Sequence, residues 1–307
     1  MKAAYFEQHG GAEVMQVGEL PDPIAGPGEV LIDIHAASIN AADWQVRLGI
    51  YGEVKQFPHI LGRDFSGVVS ALGEGVEDFK IGDAVFGVCD TGQEGAYAEK
   101  IAIKAAIIAS KPDSISHLEA AALGLTGLTA LVSIEDTLKL KAGETILIQG
   151  GAGGVAGIAI QIAKQIGAHV ITTASAGNHD YVRGLGADEV IDYHTQDFTE
   201  LVSDCDAVFD TVGGDVGLKA FEVLKPGGRA AFIGSGFTAP ESPRDDLQSL
   251  RPMVGRDRSH LEQITELVQT GAVQVPQITS FELADVVDAH RLSESRHLRG
   301  KLVFEMV

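Results

Sequence analysis

Hydrophobic positions near the start of the chain alternate with polar ones. Residues 29–35 read Glu-Val-Leu-Ile-Asp-Ile-His, a period of two that predicts a strand with one buried face. Residues 67–73 and 83–87 read as further short strands between turns, and Pro21, Pro23, Gly26 and Pro27 mark loops. The pattern changes near residue 116. Ser116-His-Leu-Glu119 has the spacing of a capping box. The uncharged run 120–134 behind it predicts a buried helical segment bridging two domains. From Thr145 onward strand-like and helix-like stretches alternate. Strands are expected over 145–149, His169–Thr173, 189–192, 206–210 and 229–233, and helices over Gly154–Ile166, 178–185 and 215–224. Regular alternation of this kind specifies βαβ units and a parallel sheet. Residues 237–257, rich in Pro, Asp and Arg, read as a loop or short strand. Residues 259–262 read as a second capping box, opening a helix with Leu261, Ile264, Leu267 and Val268 on one face. A strand over Lys301–Glu305 closes the chain.

Length and charge narrow the function. A chain of 307 residues suggests two domains, by the rough guide of about 150 residues each. The formal net charge of −20 argues against nucleic acid and against an anionic membrane surface as partners, since both need clustered Lys and Arg. Two cysteines, Cys89 and Cys205, are too few for a disulfide scaffold or a zinc knuckle, and each reads as a small buried apolar residue. The opening MKAAYFEQHG has no apolar run of signal-peptide type, so a cytoplasmic location is expected. Residues 145–163 carry no charge, but five glycines interrupt them, so they read as strand, turn and buried helix rather than a membrane span.

That interrupted stretch holds the strongest motif. Gly151-x-Gly153-x-x-Ala156 follows a strand, opens a helix and begins a βαβ series, the context that distinguishes a dinucleotide turn from a chance glycine cluster. Taken in order, the small residues allow the tight turn, let the backbone approach a pyrophosphate, and let helix pack on strand. Gly151, Ala152, Gly153, Gly154 and Val155 are the expected phosphate contacts, because a helix N-terminus offers free N–H groups and the positive end of its dipole. The second strand runs into Thr173-Ala-Ser175 with no Asp or Glu to bind a ribose 2′-hydroxyl, so NADPH is the expected cofactor. Ser175, Asn178 and His179 are candidate donors to its 2′-phosphate; a plain surface loop is the alternative.

Further segments carry a resemblance. They include Ala37-Ser-Ile-Asn40-Ala-Ala-Asp43, Leu61-Gly-Arg-Asp64-Phe-Ser-Gly-Val, Gly82-Asp-Ala-Val-Phe-Gly87 and Gly95-Ala-Tyr97-Ala-Glu99. They continue with Phe209-Asp-Thr-Val-Gly-Gly214, Leu224-Lys-Pro-Gly-Gly228 and Arg299-Gly-Lys-Leu-Val303. In order and spacing the chain resembles the zinc-independent quinone oxidoreductase branch of the medium-chain dehydrogenase/reductase superfamily. The resemblance implies an α/β fold: a Rossmann doubly wound parallel sheet plus a GroES-like β-rich catalytic domain. It places the catalytic domain at 1–120, the NADP(H)-binding domain at 121–255 and a return to the catalytic domain at 256–307. It implies reduction of quinones or α,β-unsaturated carbonyls, and a homodimer. Zinc enzymes of the superfamily have a cysteine ligand where this chain has Asn40, and Gly-His-Glu where it has Gly62-Arg63-Asp64; their four-cysteine lobe is missing. Zinc requires at least three placed ligands, so no metal site is expected.

For the chemistry, Tyr51 resembles in spacing the hydrogen-bond donor of enoyl-thioester reductases, though it reads equally as a loop tyrosine over apolar surface. Asn40 is expected to bond the cofactor ribose or the substrate oxygen, or else to cap a turn. By the resemblance Thr129 faces the nicotinamide, Tyr193 lies beside the adenosine ribose and Gly234 lines the cofactor. Asp43 and Arg63 are expected to form an ion pair, while Trp44 and Phe65 pack in the core. Two alternatives stay open. One is an enoyl-thioester reductase using Arg244, Arg251, Arg256 and Arg258; the other is a non-catalytic NADPH-binding protein.

Overall fold

The structure, a computed structural model, describes residues 1–52, 54–90, 92–234, 236 and 238–306. Phe237, at the head of the stretch read as a loop, lies outside the described residues. The chain divides into two compact units. The first comprises Met1–Leu125, Arg256–Gln269 and Val275–Val307, and the second Thr126–Gly255 and Thr270–Gln274.

The first unit opens with strands β1 (Lys2–Phe6), β2 (Gln16–Glu19) and β3 (Glu29–Ile39) and helix α1 (Ala41–Arg47). Strands β4 (His59–Ile60), β5 (Asp64–Leu72), β6 (Ala84–Val88), β7 (Lys100–Lys104) and β8 (Ile108–Ser110) follow. Helix α2 (His117–Leu131) contains the boundary between the units. Its capping box forms: Ser116 N–H donates to Glu119 Oε2 at 2.7 Å, and Glu119 N–H to Ser116 Oγ at 3.2 Å. Together with the π-helical turn Val132–Thr137, α2 is long and apolar enough to cross a membrane, but 78% of its apolar window is buried, as in a core helix.

The second unit carries β9 (Thr145–Ile148), α3 (Gly154–Ile166), β10 (His169–Thr173), α4 (His179–Gly184), β11 (Glu189–Ile191), α5 (Phe198–Leu201), β12 (Cys205–Asp210), α6 (Gly214–Lys219), β13 (Leu224–Phe232) and β14 (Gln248–Leu250). All its strand pairs are parallel, in the order β11-β10-β9-β12-β13-β14. This is the doubly wound order of a Rossmann sheet, with β9 next to the point where the order reverses. Ile146, Leu147 and Ile148 of β9 are fully buried, as a central parallel strand requires. The helix expected over 215–224 is shorter: α6 ends at Lys219 and a 3-10 turn leads into β13 at Leu224. The Leu224-Lys-Pro-Gly-Gly228 stretch is absorbed by a register shift between Cys205 and Ala207 opposite.

The chain closes with α7 (Arg258–Gln269), β15 (Ile278–Glu282), α8 (Val286–Glu294) and β16 (Lys301–Glu305). The expected second capping box is corrected here. Helix α7 begins at Arg258, so Ser259 is already inside it, and Asp257 caps it instead, accepting the His260 N–H at 3.0 Å. In the first unit a seven-stranded sheet runs β15-β16-β3-β5-β6-β8, with β7 also on β3, and a three-stranded sheet runs β2-β1-β4. Strand β16 lies antiparallel to β3, with Leu302 opposite Ile39. Residues 36–39, which it covers, are all buried, so the alternation seen over 29–35 is lost there although the strand continues.

Candidate active site

The turn between β9 and α3 holds the glycine run. The left-handed residue is Gly150 (φ 75°), one position before the Gly151 expected to make the turn. Gly150 N–H donates to Thr173 Oγ1 and Gly151 N–H to Thr173 O, both at 3.0 Å, which ties the turn to the end of β10. Gly151 is required by packing, since a Cβ there would lie 2.2 Å from Thr172 Oγ1. Gly153, the N-cap of α3, is different. Its φ of −74° and ψ of 158° suit any residue, and a Cβ would meet nothing closer than Gly150 O at 3.4 Å. The protein's own packing leaves that space open, and close approach of a ligand to this backbone is what a side chain would obstruct. Gly154, Val155 and Ala156 follow as the first residues of α3, whose N–H groups have no acceptor within the helix. Ala152 and Ala156 are buried, and a Cβ on Gly157 would sit 3.1 Å from Leu185 Cδ1, so α3 packs closely. Small residues, free N–H groups and a helix dipole together fit a dinucleotide pyrophosphate.

Beyond β10 the backbone carries no carboxylate until Asp180. Asn178 Nδ2 donates to Ser175 Oγ at 3.0 Å, and the ring of His179, the first residue of α4, lies 3.3 Å from Ala174 O, so the three expected donors share the short segment from β10 into α4. Tyr193, past β11, is 47% exposed with its ring 4.3 Å from His194. Thr129 is buried within α2, and its carbonyl accepts the Ser133 hydroxyl at 2.6 Å. Gly234 approaches Gly213 so closely that a Cβ would lie 2.5 Å from Gly213 N. The residue that builds this corner, Asp210, was not among those expected. Fully buried at the end of β12, it accepts the N–H groups of Val212 and Gly213 at 3.0 Å. Burial raises its pKa, and those bonds oppose the rise. The available signal was an Asp preceding Gly213-Gly214, an Asx-turn spacing.

In the first unit Asn40, Asp43, Arg63 and Asp64 converge at the ends of β3 and β5. Asn40 stands at the N-cap of α1, where its N–H donates to Asp43 Oδ2 at 2.8 Å, so the capping role exists. Its side chain turns elsewhere, donating to Asp64 Oδ1 at 2.7 Å and accepting from Lys301 Nζ at 2.6 Å. The expected Asp43–Arg63 pair is long, 3.9 Å; the closer partner of Arg63 is Glu94, at 2.9 Å, both almost fully buried. Asp43 is held instead by the Tyr97 hydroxyl at 2.7 Å. Burial pushes the Asp43 carboxyl up to about 6, and the Arg63 charge restrains the shift. Tyr51 is partly buried against the apolar core, with the Arg63 guanidinium 5.4 Å over its ring. Trp44 and Phe65 are core side chains.

These residues do not fit a zinc ion. A buried ammonium and a buried guanidinium occupy the neighbourhood of Asn40 and Asp64, and no group of three or more metal-ligating side chains exists among the described residues. The four arginines of the enoyl-thioester alternative are engaged by the protein itself. Arg244 pairs with Asp246, Arg251 donates to Phe232 O, Arg256 to Cys89 O, and Arg258 to Ile108 O and Ala105 O.

Comparison with known proteins places this geometry. Residues 26–113 match the alcohol dehydrogenase GroES-like domain, and residues 185–304 a family described as zinc-binding dehydrogenase. The 2-methylene-furan-3-one reductase of Solanum lycopersicum is 32% identical, over 100% of this chain and 79% of its own length. A quinone oxidoreductase from Coxiella burnetii superposes with a TM-score of 0.93 at 36% identity, covering 100% of this chain and 99% of that one. The Escherichia coli quinone oxidoreductase solved with NADPH superposes with a TM-score of 0.91 at 29% identity, covering both chains completely. With a parallel sheet in the doubly wound order, a dinucleotide turn and a GroES-like unit that lacks the zinc ligands, the chain belongs to the quinone oxidoreductase-like branch of the medium-chain dehydrogenase/reductase superfamily.

Proposed function

We propose that the protein is an NADPH-dependent reductase of quinones or α,β-unsaturated carbonyls that works without zinc. The observation that carries this reading is the turn at Gly153, where helix α3 presents its first N–H groups beside a position that the fold leaves open for a ligand. A bound nicotinamide supplies the hydride. Gly151 to Val155 hold the pyrophosphate, while Ser175, Asn178 and His179 hold the 2′-phosphate. Thr129, Tyr193 and Gly234 complete the cofactor contacts. Tyr51 and Asn40 donate hydrogen bonds to the acceptor oxygen as negative charge develops on it. The names of the relatives support both acceptor types, and the carboxylate-free end of β10 supports NADPH over NADH.

The test is NADPH oxidation by the purified protein against a panel of quinones, enones and enoyl thioesters, with NADH in parallel. The reading expects turnover of quinones and enones, faster with NADPH. It also expects Tyr51→Phe to slow enones about 10- to 100-fold while leaving quinones less affected, because quinones accept hydride readily. No oxidation with any acceptor would overturn it, and turnover confined to enoyl thioesters would reassign the substrate.

A further inference from the structure

The Asn40 side chain lies between two buried charges. Lys301 is 6% exposed, and its Nζ donates to Asn40 Oδ1 and to Ile39 O, both at 2.6 Å. On the other side Asn40 Nδ2 donates to Asp64 Oδ1 at 2.7 Å. Asp64 is anchored in turn, by the Ser38 hydroxyl at 2.8 Å and the Leu125 N–H at 3.0 Å. The register of β16 on β3 pairs Leu302 with Ile39, which sets Lys301 beside Asn40, the residue that follows β3.

A buried ammonium whose hydrogen bonds among the described residues go to neutral oxygens is a costly core group, and an apolar side chain of similar volume is usually the more stabilising choice. Burial lowers its pKa, as expected for a cation removed from water. Its contacts have a definite consequence for the amide. An ammonium can only donate, so it selects Oδ1; a carboxylate accepts, so it selects Nδ2. The two ends of Asn40 are thereby assigned by chemistry, and the amide cannot reverse without placing like partners together. The ammonium also draws electron density toward Oδ1, which makes the Nδ2 hydrogens stronger donors. Asp64 takes one of them.

We propose that Lys301 is a positioning residue, which holds and polarises the Asn40 amide so that its second Nδ2–H donates to the oxygen of the bound acceptor as charge develops there. This rests on the role given to Asn40 under Proposed function. Lys301 itself does not touch the acceptor; it acts through the amide.

The test is a double-mutant cycle on kcat and KM with a quinone and an enone, using Asn40→Ala, Lys301→Met and the double variant, each checked for folding by thermal unfolding. Lys301→Met is expected to lower kcat with the enone about 10- to 100-fold with little change in KM, a loss on the scale of one transition-state hydrogen bond. With the quinone the loss should be several-fold smaller. In the Asn40→Ala background, Lys301→Met should change kcat less than about twofold, because the amide it acts through is gone. Additive losses, or equal losses on both acceptors, would overturn the inference and leave Lys301 a structural residue. An Asn40→Ala variant with unchanged kcat would overturn the role of Asn40 itself, a separate outcome. Should Lys301→Met not fold, Lys301→Gln carries the same cycle, since a neutral amide there can still hydrogen-bond but no longer polarises Asn40 or fixes its orientation.

Discussion

At the scale of single residues, the two glycines of the turn separate fold from ligand. Gly151 lies against Thr172, and a methyl group there collides with the β10 side chain. Gly151→Ala should therefore destabilise the protein by about 2 kcal/mol, the usual cost of overpacking. Gly153 has room for a methyl group within the protein, so Gly153→Ala should leave the thermal midpoint nearly unchanged while weakening NADPH binding about tenfold or more. Thermal unfolding and calorimetric titration of both variants check this. Unweakened binding by Gly153→Ala would show that no ligand approaches that backbone. The motif was legible from its spacing together with the strand before it and the helix after it. The division of labour within it was not, because left-handed φ and Cβ clashes depend on where Thr172 and Thr173 of the neighbouring strand come to lie. Lys301 was invisible for the same reason. In the sequence it is one more basic residue in a closing strand, and only the β3–β16 register brings it to Asn40.

At the scale of elements, periodicity located several strands and helices with one wet face, β3 and α7 among them, but passed over β7, whose burial alternates. It failed at residues 36–39, where β3 is covered on both faces, and at α7, where Asp257 competes successfully with Ser259 for the cap. Neither the sequence spacing nor composition foretold how α1 is joined to α8. Arg47, with a fully buried side chain, donates through Nη1 to His290 Nδ1 at 2.9 Å and pairs through Nη2 with Glu294. Burial, reinforced by the Arg47 charge, lowers the His290 pKa from 6.5 to about 3. Between those values the unfolded chain binds a proton that the folded protein does not. This contact therefore makes the protein lose stability as pH falls below 6.5, by at most about 1.4 kcal/mol per pH unit. Replacing the ring by an amide keeps an acceptor for Arg47 and removes the titration. Thermal unfolding between pH 6.5 and 4.5 should show a shallower fall for His290→Gln than for the parent protein. Parallel curves would mean that His290 takes up its proton without leaving the folded state.

At the scale of the whole molecule, the acidic balance argues against polyanionic partners, but it says nothing about how an anionic cofactor is held. In the proposed reading local donors hold it: helix N–H groups at α3 and neutral side chains after β10, none of which needs a net positive surface. The doubly wound order and the GroES-like unit were legible because βαβ alternation and the family segments span most of the chain. The chemistry of the first unit was only half legible. Asn40 and Tyr51 stand out by spacing, whereas the buried network of Asp43, Arg63, Glu94 and Tyr97 is assembled from helix α1 and connecting segments distant in sequence. The central claim, direct hydride transfer from NADPH to an electron-poor acceptor, is tested most directly with NADPH carrying deuterium at the transferable position of nicotinamide C4. After turnover of an enone in ordinary water, deuterium is predicted on the β-carbon of the saturated product and hydrogen on the α-carbon. Product without deuterium, formed while labelled NADPH is consumed, would contradict the account.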